Sequence, residues 1–191
     1  MQDRPELLRA ADIEAKTATH SHPWNPNSEM RGVRLGYETG LRRTGVSLAR
    51  IAPGKESFVY HSHEREEEWV YILAGTAIAE IDGADHEVGP GDFIGFPTPS
   101  VAHHLRNTGS EDLVYLMGGE HRDVEIADFP KLGKRMIRSG GKVEIYEIAD
   151  AKPFAPLSPS GERPGEGEPG LGAEPDYFVA PNRTCRPPRA S

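Results

Sequence analysis

The chain has 191 residues and a formal net charge of −8 at pH 7, long enough for one domain with a sizeable core plus tails. The acidic balance disfavours electrostatic binding to nucleic acid or anionic membranes. No apolar run approaches bilayer length, and Met1-Gln2-Asp3-Arg4-Pro5 lacks the basic-then-apolar order of a signal peptide, so a soluble cytoplasmic protein is expected. The single cysteine, Cys185, lies near the C-terminus, so any core metal must take nitrogen and oxygen ligands.

In chain order, Asp3 and Pro5 precede Leu7, Leu8, Ala11 and Ile13, which predicts a short helix within residues 3–16. His20 to Asn27, with Pro23 and Pro26, reads as a loop; its His20-x-His22 pair is a reserve candidate for metal contact. Arg31 to Leu41 and Val46 to Ile51 are predicted strands, with turn chemistry at Arg42 to Gly45 and at Pro53-Gly54.

The chain then reaches its most informative stretch. Ser57 to His63 is predicted as a strand carrying Val59, His61 and His63 on one face and Phe58 and Tyr60 on the other. Glu68 to Leu73 follows as its partner strand, with Glu68, Val70 and Ile72 inward and Trp69, Tyr71 and Leu73 outward, both faces apolar as between two layers. Two imidazoles and a carboxylate suit a divalent first-row metal. Taken alone, residues 64–68 read equally as a solvated acidic turn.

Ala77 to Val88 is a hairpin turning at Asp82-Gly83. Phe93 to Phe96 is a short strand after Pro90-Gly91-Asp92; Pro97 and Pro99 take the chain out of the sheet, and it re-enters near His103 and His104. Leu113 to Met117 is another strand, and Arg135 to Arg138 and Val143 to Ile148 form a hairpin across Gly140-Gly141 that lengthens a sheet or packs on a partner subunit. From Pro156 onward Pro, Gly and Glu predominate, which predicts a disordered tail whose Tyr177-Phe178-Val179 is its one apolar cluster. Many short strands joined by Gly and Pro turns indicate an all-β sandwich or barrel.

Two stretches together resemble the cupin superfamily. Its first motif, a glycine, a His-x-His pair, a glutamate and a further glycine, matches Gly54, His61, His63, Glu68 and Gly75, with one additional residue before His61. Its second matches Gly91, Pro97, His103 and Asn107, with Pro99 where the motif has glycine. The resemblance implies a jelly-roll barrel, a double-stranded β-helix, and a metal held by His61, His63, Glu68 and His103. His103 is taken because it keeps the His-x-x-x-Asn spacing to Asn107; His104 is the alternative. The expected domains are an N-terminal extension (1–30), the barrel (31–150) and the tail (151–191).

The same resemblance implies one divalent ion, Mn or Fe first and Zn or Ni after them. It further implies either an enzyme acting on a small polar metabolite, by dioxygenase, isomerase, lyase or decarboxylase chemistry, or a binder of a sugar or organic acid without turnover. A homodimer is the expected assembly. By strand parity Val59, Val70, Ile72 and Leu105 surround the metal as an apolar well, while Tyr60, His104 and Arg106 face away. A general base would then come from Glu66, Glu67, Arg50 or the loop Pro97 to Ala102.

Overall fold

The computed structural model describes residues 4–152. The expected tail, its Tyr177-Phe178-Val179 cluster and Cys185 lie outside the described residues.

The chain opens with helix α1 (Ala10–Lys16), a short helix in the second half of the expected 3–16, followed by β1 (Ala18–His20) and β2 (Met30–Val33). His20 thus ends a short strand rather than lying in loop. The expected strand Arg31 to Leu41 is also broken, because α2 (Leu35–Glu38) fills its middle. Gly36 permits that turn: a Cβ there would sit 3.1 Å from the Thr44 carbonyl and the Val46 nitrogen of the next strand. The turn ends at Gly40, in the left-handed region at φ 83°.

The strands that follow are β3 (Thr44–Ile51), β4 (Ser62–His63), β5 (Glu68–Ala74), β6 (Ala77–Ile81) and β7 (Ala84–Val88). Then come β8 (Phe93–Phe96), β9 (His103–Arg106), β10 (Leu113–Glu120), β11 (Glu125–Phe129), β12 (Lys134–Ser139) and β13 (Lys142–Glu147). Asp82 and Gly83 both have positive φ, the mirror-image turn expected of the β6–β7 hairpin.

All named strand pairs are antiparallel. They form a six-stranded sheet in the order β1-β2-β3-β10-β5-β8, a four-stranded sheet β13-β12-β11-β4 and a three-stranded sheet β7-β6-β9. The last two are stitched together by reciprocal backbone bonds between His61 and His103, of 3.2 and 2.8 Å. The core is apolar and continuous, with Ala49, Ile51, Val70, Ile72, Ala79, Leu105, Leu113 and Tyr115 buried. This is the all-β jelly-roll architecture. No helix among the described residues is long and apolar enough to cross a membrane.

Two expectations about the histidine segment need correction. Ser57 to Tyr60 is not strand; only an isolated bridge at His61 and the two residues of β4 are extended. With parity broken, Phe58 turns toward the interior beside His61, while Val59 lines a cleft on the opposite side. Nor is β5 the partner of that segment. β4 pairs with β11, and β5 lies between β10 and β8 in the other sheet, so Glu68 meets the histidines across the interior rather than along a hairpin. The outer face of β5 is not covered by a second layer, since Tyr71 and Leu73 are exposed there. β11 was not expected; its inward residues include Glu125, which hides the period-2 apolar pattern.

Candidate metal centre

Each element brings one piece to a common point. The bridge between residues 61 and 103 places those two imidazoles side by side, their centroids 4.9 Å apart. His63 follows on β4 at the same 4.9 Å from His61. Glu68, the first residue of β5, extends its carboxylate to them: Oε2 lies 3.1 Å from His103 Nε2, 3.3 Å from His63 Nε2 and 3.8 Å from His61 Nε2. Ligands at about 2.0–2.2 Å from a shared ion stand roughly 3 to 3.5 Å from one another, so the His103 and His63 separations match the edges of a coordination polyhedron and that of His61 is slightly wider. Among the described residues His61, His63 and Glu68 form a group whose ligand-type atoms all lie within 4.8 Å.

The far side of each imidazole decides what the near side can do. Nδ1 of His61 donates to the Val59 carbonyl at 2.7 Å, and Nδ1 of His103 to the Val101 carbonyl at 2.9 Å. A carbonyl only accepts, so Nδ1 carries the proton in both rings, and in the neutral form Nε2 presents a lone pair. His63 Nδ1 is held by the Glu125 carboxylate at 3.2 Å. Three lone pairs are therefore directed at the Glu68 carboxylate, that of His103 from outside the compact group of the other three residues, an arrangement of acceptors without donors that a cation resolves. Three neutral nitrogens and one oxygen fit a divalent first-row ion and leave further coordination positions for water or substrate.

Without an ion, a proton on Nε2 can take its place and bond to Glu68. Burial works to raise the Glu68 carboxyl, but hydrogen bonds from His103, His61 and His63 outweigh it and hold Glu68 well below the usual carboxylate range. For His63 burial works downward, yet the hydrogen bond and charge of Glu68, with Glu125 behind, raise it above 6.5. The His103 ring stacks on Phe96 with centroids 3.5 Å apart and planes 6° from parallel, which fixes its orientation.

Behind the cluster is a small apolar space of about 30 Å³ among Phe58, Val70, Ala79, Phe96, Leu105 and Met117, room for about two water molecules. In front, a mouth of about 270 Å³ opens past Ser47, Glu66, Glu67, Gly119 and Glu120. The apolar well is thus real, but its entrance is acidic. Val59 and Ile72 do not line the well, Val59 because its segment is not strand.

His103 points into the cluster. His104 turns the other way, against Tyr60 and between Glu80 and Glu56. His22 is not among the converging ligands: its ring packs on Trp24 and Phe58, and its Nδ1 accepts from the Trp24 amide. Of the residues considered as a base, Arg50 lies between inward-facing Ala49 and Ile51 and lines neither space. Glu66 is buried and bound by Arg138 and by the Arg122 amide. In the Pro97 to Ala102 loop, the Ser100 hydroxyl accepts from the His63 amide at 2.7 Å, so that loop positions β4. Glu67 stands exposed at the mouth.

One contributor was not anticipated. Glu125 orients His63, and its only sequence signal is an acid at an inward position of β11. Asn107 is buried and fully engaged, donating to the carbonyls of Ile51 and Glu111 and accepting from the Gly109 amide, which anchors the end of β9.

The family model described as "Cupin domain" matches residues 47–119, the span from β3 through β10. A solved structure from Acidithiobacillus ferrooxidans, named provisionally as a sugar phosphate isomerase, is 37% identical with a TM-score of 0.75; the match covers 78% of this chain and 97% of that one. A sugar phosphate isomerase from Silicibacter pomeroyi matches in fold with 23% identity and a TM-score of 0.64, over 73% of this chain and 90% of that one. Protein SchB of Streptomyces halstedii is 29% identical over 92 residues, 47% of this chain, and the match spans 65% of SchB.

Proposed function

The chain belongs to the cupin superfamily, and from that premise we propose a metal-dependent enzyme acting on a small polar metabolite, with residues 31–150 as its barrel. His61, His63, Glu68 and His103 hold one divalent ion, Mn or Fe before Zn or Ni. The observation that carries this reading is the orientation of the imidazoles: His61 and His103 are locked by backbone carbonyls, and His63 by Glu125, so that all three direct Nε2 at Glu68.

Among the chemistries open to such a site we favour isomerisation of a hydroxy-carbonyl compound of sugar type. The relative named as a sugar phosphate isomerase, 37% identical over nearly its whole length, supports that choice. The bound ion would supply Lewis acidity and orient the substrate's vicinal oxygens. The chain supplies the rest. The apolar wall of Phe58, Val70, Phe96 and Met117 excludes water behind the reacting carbons. Glu67, at the mouth and without a side-chain hydrogen bond among the described residues, is the carboxylate we put forward to move the proton between adjacent carbons. Glu66 is held by Arg138 and keeps the entrance in shape.

Elemental analysis of protein purified without added metal, followed by an assay on aldose and ketose phosphates, tests the reading. About one equivalent of a first-row ion and isomerisation that Glu67→Gln abolishes without loss of metal are expected. Metal-free protein that cannot be reconstituted would overturn the site. Metal with binding but no turnover would instead support the second reading, a cupin that binds a sugar or organic acid. We also propose a homodimer joined through β13, an edge strand on which Val143, Ile145 and Tyr146 are exposed. Sedimentation at micromolar concentration tests it, and a monomer there would refute it.

A further inference from the structure

Strand β9 has a second face. His103 and Leu105 turn into the barrel, while His104 and Arg106 turn outward beside Glu80 of β6, to which His104 is register partner. A cleft of about 490 Å³ lies there, closed at its sides by Trp24, Glu56, Tyr60, Asp85 and Lys131. We propose that this cleft is a second ligand site, for a neutral polyhydroxylated molecule the size of a sugar. It is separate from the metal centre and does not depend on that reading.

The cleft contains polar atoms that the protein leaves unused. His104 is only 8% exposed, yet among the described residues its Nδ1 has no hydrogen-bond partner and stands 3.5 Å from Glu80 Oε2; Nε2 stands 3.9 Å from Glu56. The Arg106 Nε is likewise buried and unbonded. Buried polar atoms without partners are uncommon enough to require a cause, and here two lie on adjacent outward positions of one strand.

The remaining groups select the ligand class. Both cations are already matched: Lys131 donates to both oxygens of Glu80 at 2.6 and 2.8 Å and Arg106 to Asp85 at 2.5 Å, while Glu56 accepts from the neutral Asn25 amide at 2.9 Å. Three carboxylates against two cations disfavour an anion. A metal ion is disfavoured too, because Lys131 occupies Glu80 and the two His104 nitrogens face different carboxylates. Among the described residues His104 joins no group of three ligand-type atoms within 4.8 Å. Hydroxyl groups donate and accept at once, so they satisfy a free imidazole nitrogen, a guanidinium N–H and a carboxylate oxygen together. Trp24 adds aromatic surface for the C–H face of a ring, the Tyr60 ring being covered by Lys131 and His104, and the volume suits a small ligand.

Saturation-transfer NMR on the full chain tests the proposal, with glucose, xylose and sorbitol as neutral probes and glucose 6-phosphate and glucosamine as charged comparators. Saturation of a neutral probe is expected, persisting in His61→Ala, with affinity about tenfold weaker in His104→Ala and in Arg106→Ala. Lys131→Gln, at a half-exposed position that tolerates substitution, should weaken binding as well and serves if the His104 variant fails to fold. No transfer to any neutral probe overturns the proposal. Loss in His61→Ala with retention in His104→Ala also overturns it, placing the ligand in the barrel mouth. Tighter binding of either charged comparator refutes the neutral class.

Discussion

Glu125 offers the sharpest test of how the candidate metal centre is held. Its side chain is fully buried, and one oxygen, Oε1, accepts from both His63 Nδ1 and the Glu64 amide at 3.2 Å, while Oε2 has no partner among the described residues. Glu125→Ala strands one donor, His63 Nδ1, at about 1–3 kcal/mol, partly offset because a buried carboxylate is removed with it, whereas the Glu64 amide keeps its bond to the Ile126 carbonyl at 2.9 Å. His63 is then free to turn, and loss of an orienting partner typically costs 10–100-fold in metal affinity, about 1.4–2.8 kcal/mol. Glu125→Gln separates the two contributions. The amide oxygen can replace Oε1 in both hydrogen bonds but carries no charge, so about tenfold weaker binding with near-native stability is expected. Competition against a chelator measures the affinity, and urea unfolding of the metal-free protein measures the stability. If Glu125→Ala bound the ion as tightly as the parent while remaining folded, the orienting role would be refuted, along with the argument from fixed Nδ1 partners.

Three further outcomes are expected. His61→Ala should abolish stoichiometric metal while circular dichroism stays native-like, because the barrel buries its core without the ion; full metal content in that variant would disprove the ligand set. In metal-free protein His63 should titrate above 6.5, and Glu68→Gln should lower it, as followed by imidazole NMR. A raised folded value means that this group's stabilisation is complete below about pH 6.5 and is lost as pH rises through the folded value, so Glu68→Gln should remove that loss. A His63 value unchanged by the substitution would contradict the pairing. Gly75→Ala should cost about 3 kcal/mol or more, since φ is +76° and the new Cβ would lie 2.4 Å from the Asp112 carbonyl; a loss below about 1 kcal/mol by urea unfolding would refute that estimate.

The sequence was most legible where local chemistry is strict. Asp82-Gly83 demanded a mirror-image turn and has it, and β5 alternates as its apolar pattern requires, with Val70 and Ile72 buried. The convergence of His61, His63 and Glu68 was anticipated, but by the wrong route. Parity arguments assume continuous strand, and Ser57 to Tyr60 is held instead by side-chain and single-bridge contacts, such as the Ser57 hydroxyl accepting from the Leu105 amide. Such contacts come from distant parts of the chain and leave no periodic trace. β11 escaped notice for a related reason. Its inward residues are Glu125, Ala127 and Phe129, so one buried acid, present for His63, erased the alternation that marks a strand.

Where parity did hold, its consequences reach beyond the candidate metal site. β9 is paired regularly to β6 from residue 103 to 106, so consecutive histidines there must face opposite sides of the sheet. One side chain enters a cluster whose unmatched acceptors call for a cation. Its neighbour enters a cleft whose cations are matched and whose unused atoms call for hydroxyl groups. The same strand therefore separates two chemistries by about the thickness of one backbone, and rigid pairing keeps them apart. A change that slid β9 by one residue would exchange His103 and His104 and remove both arrangements at once. Asn107, buried and bonded to Ile51 and Glu111 at the end of that strand, is placed to prevent such a slip.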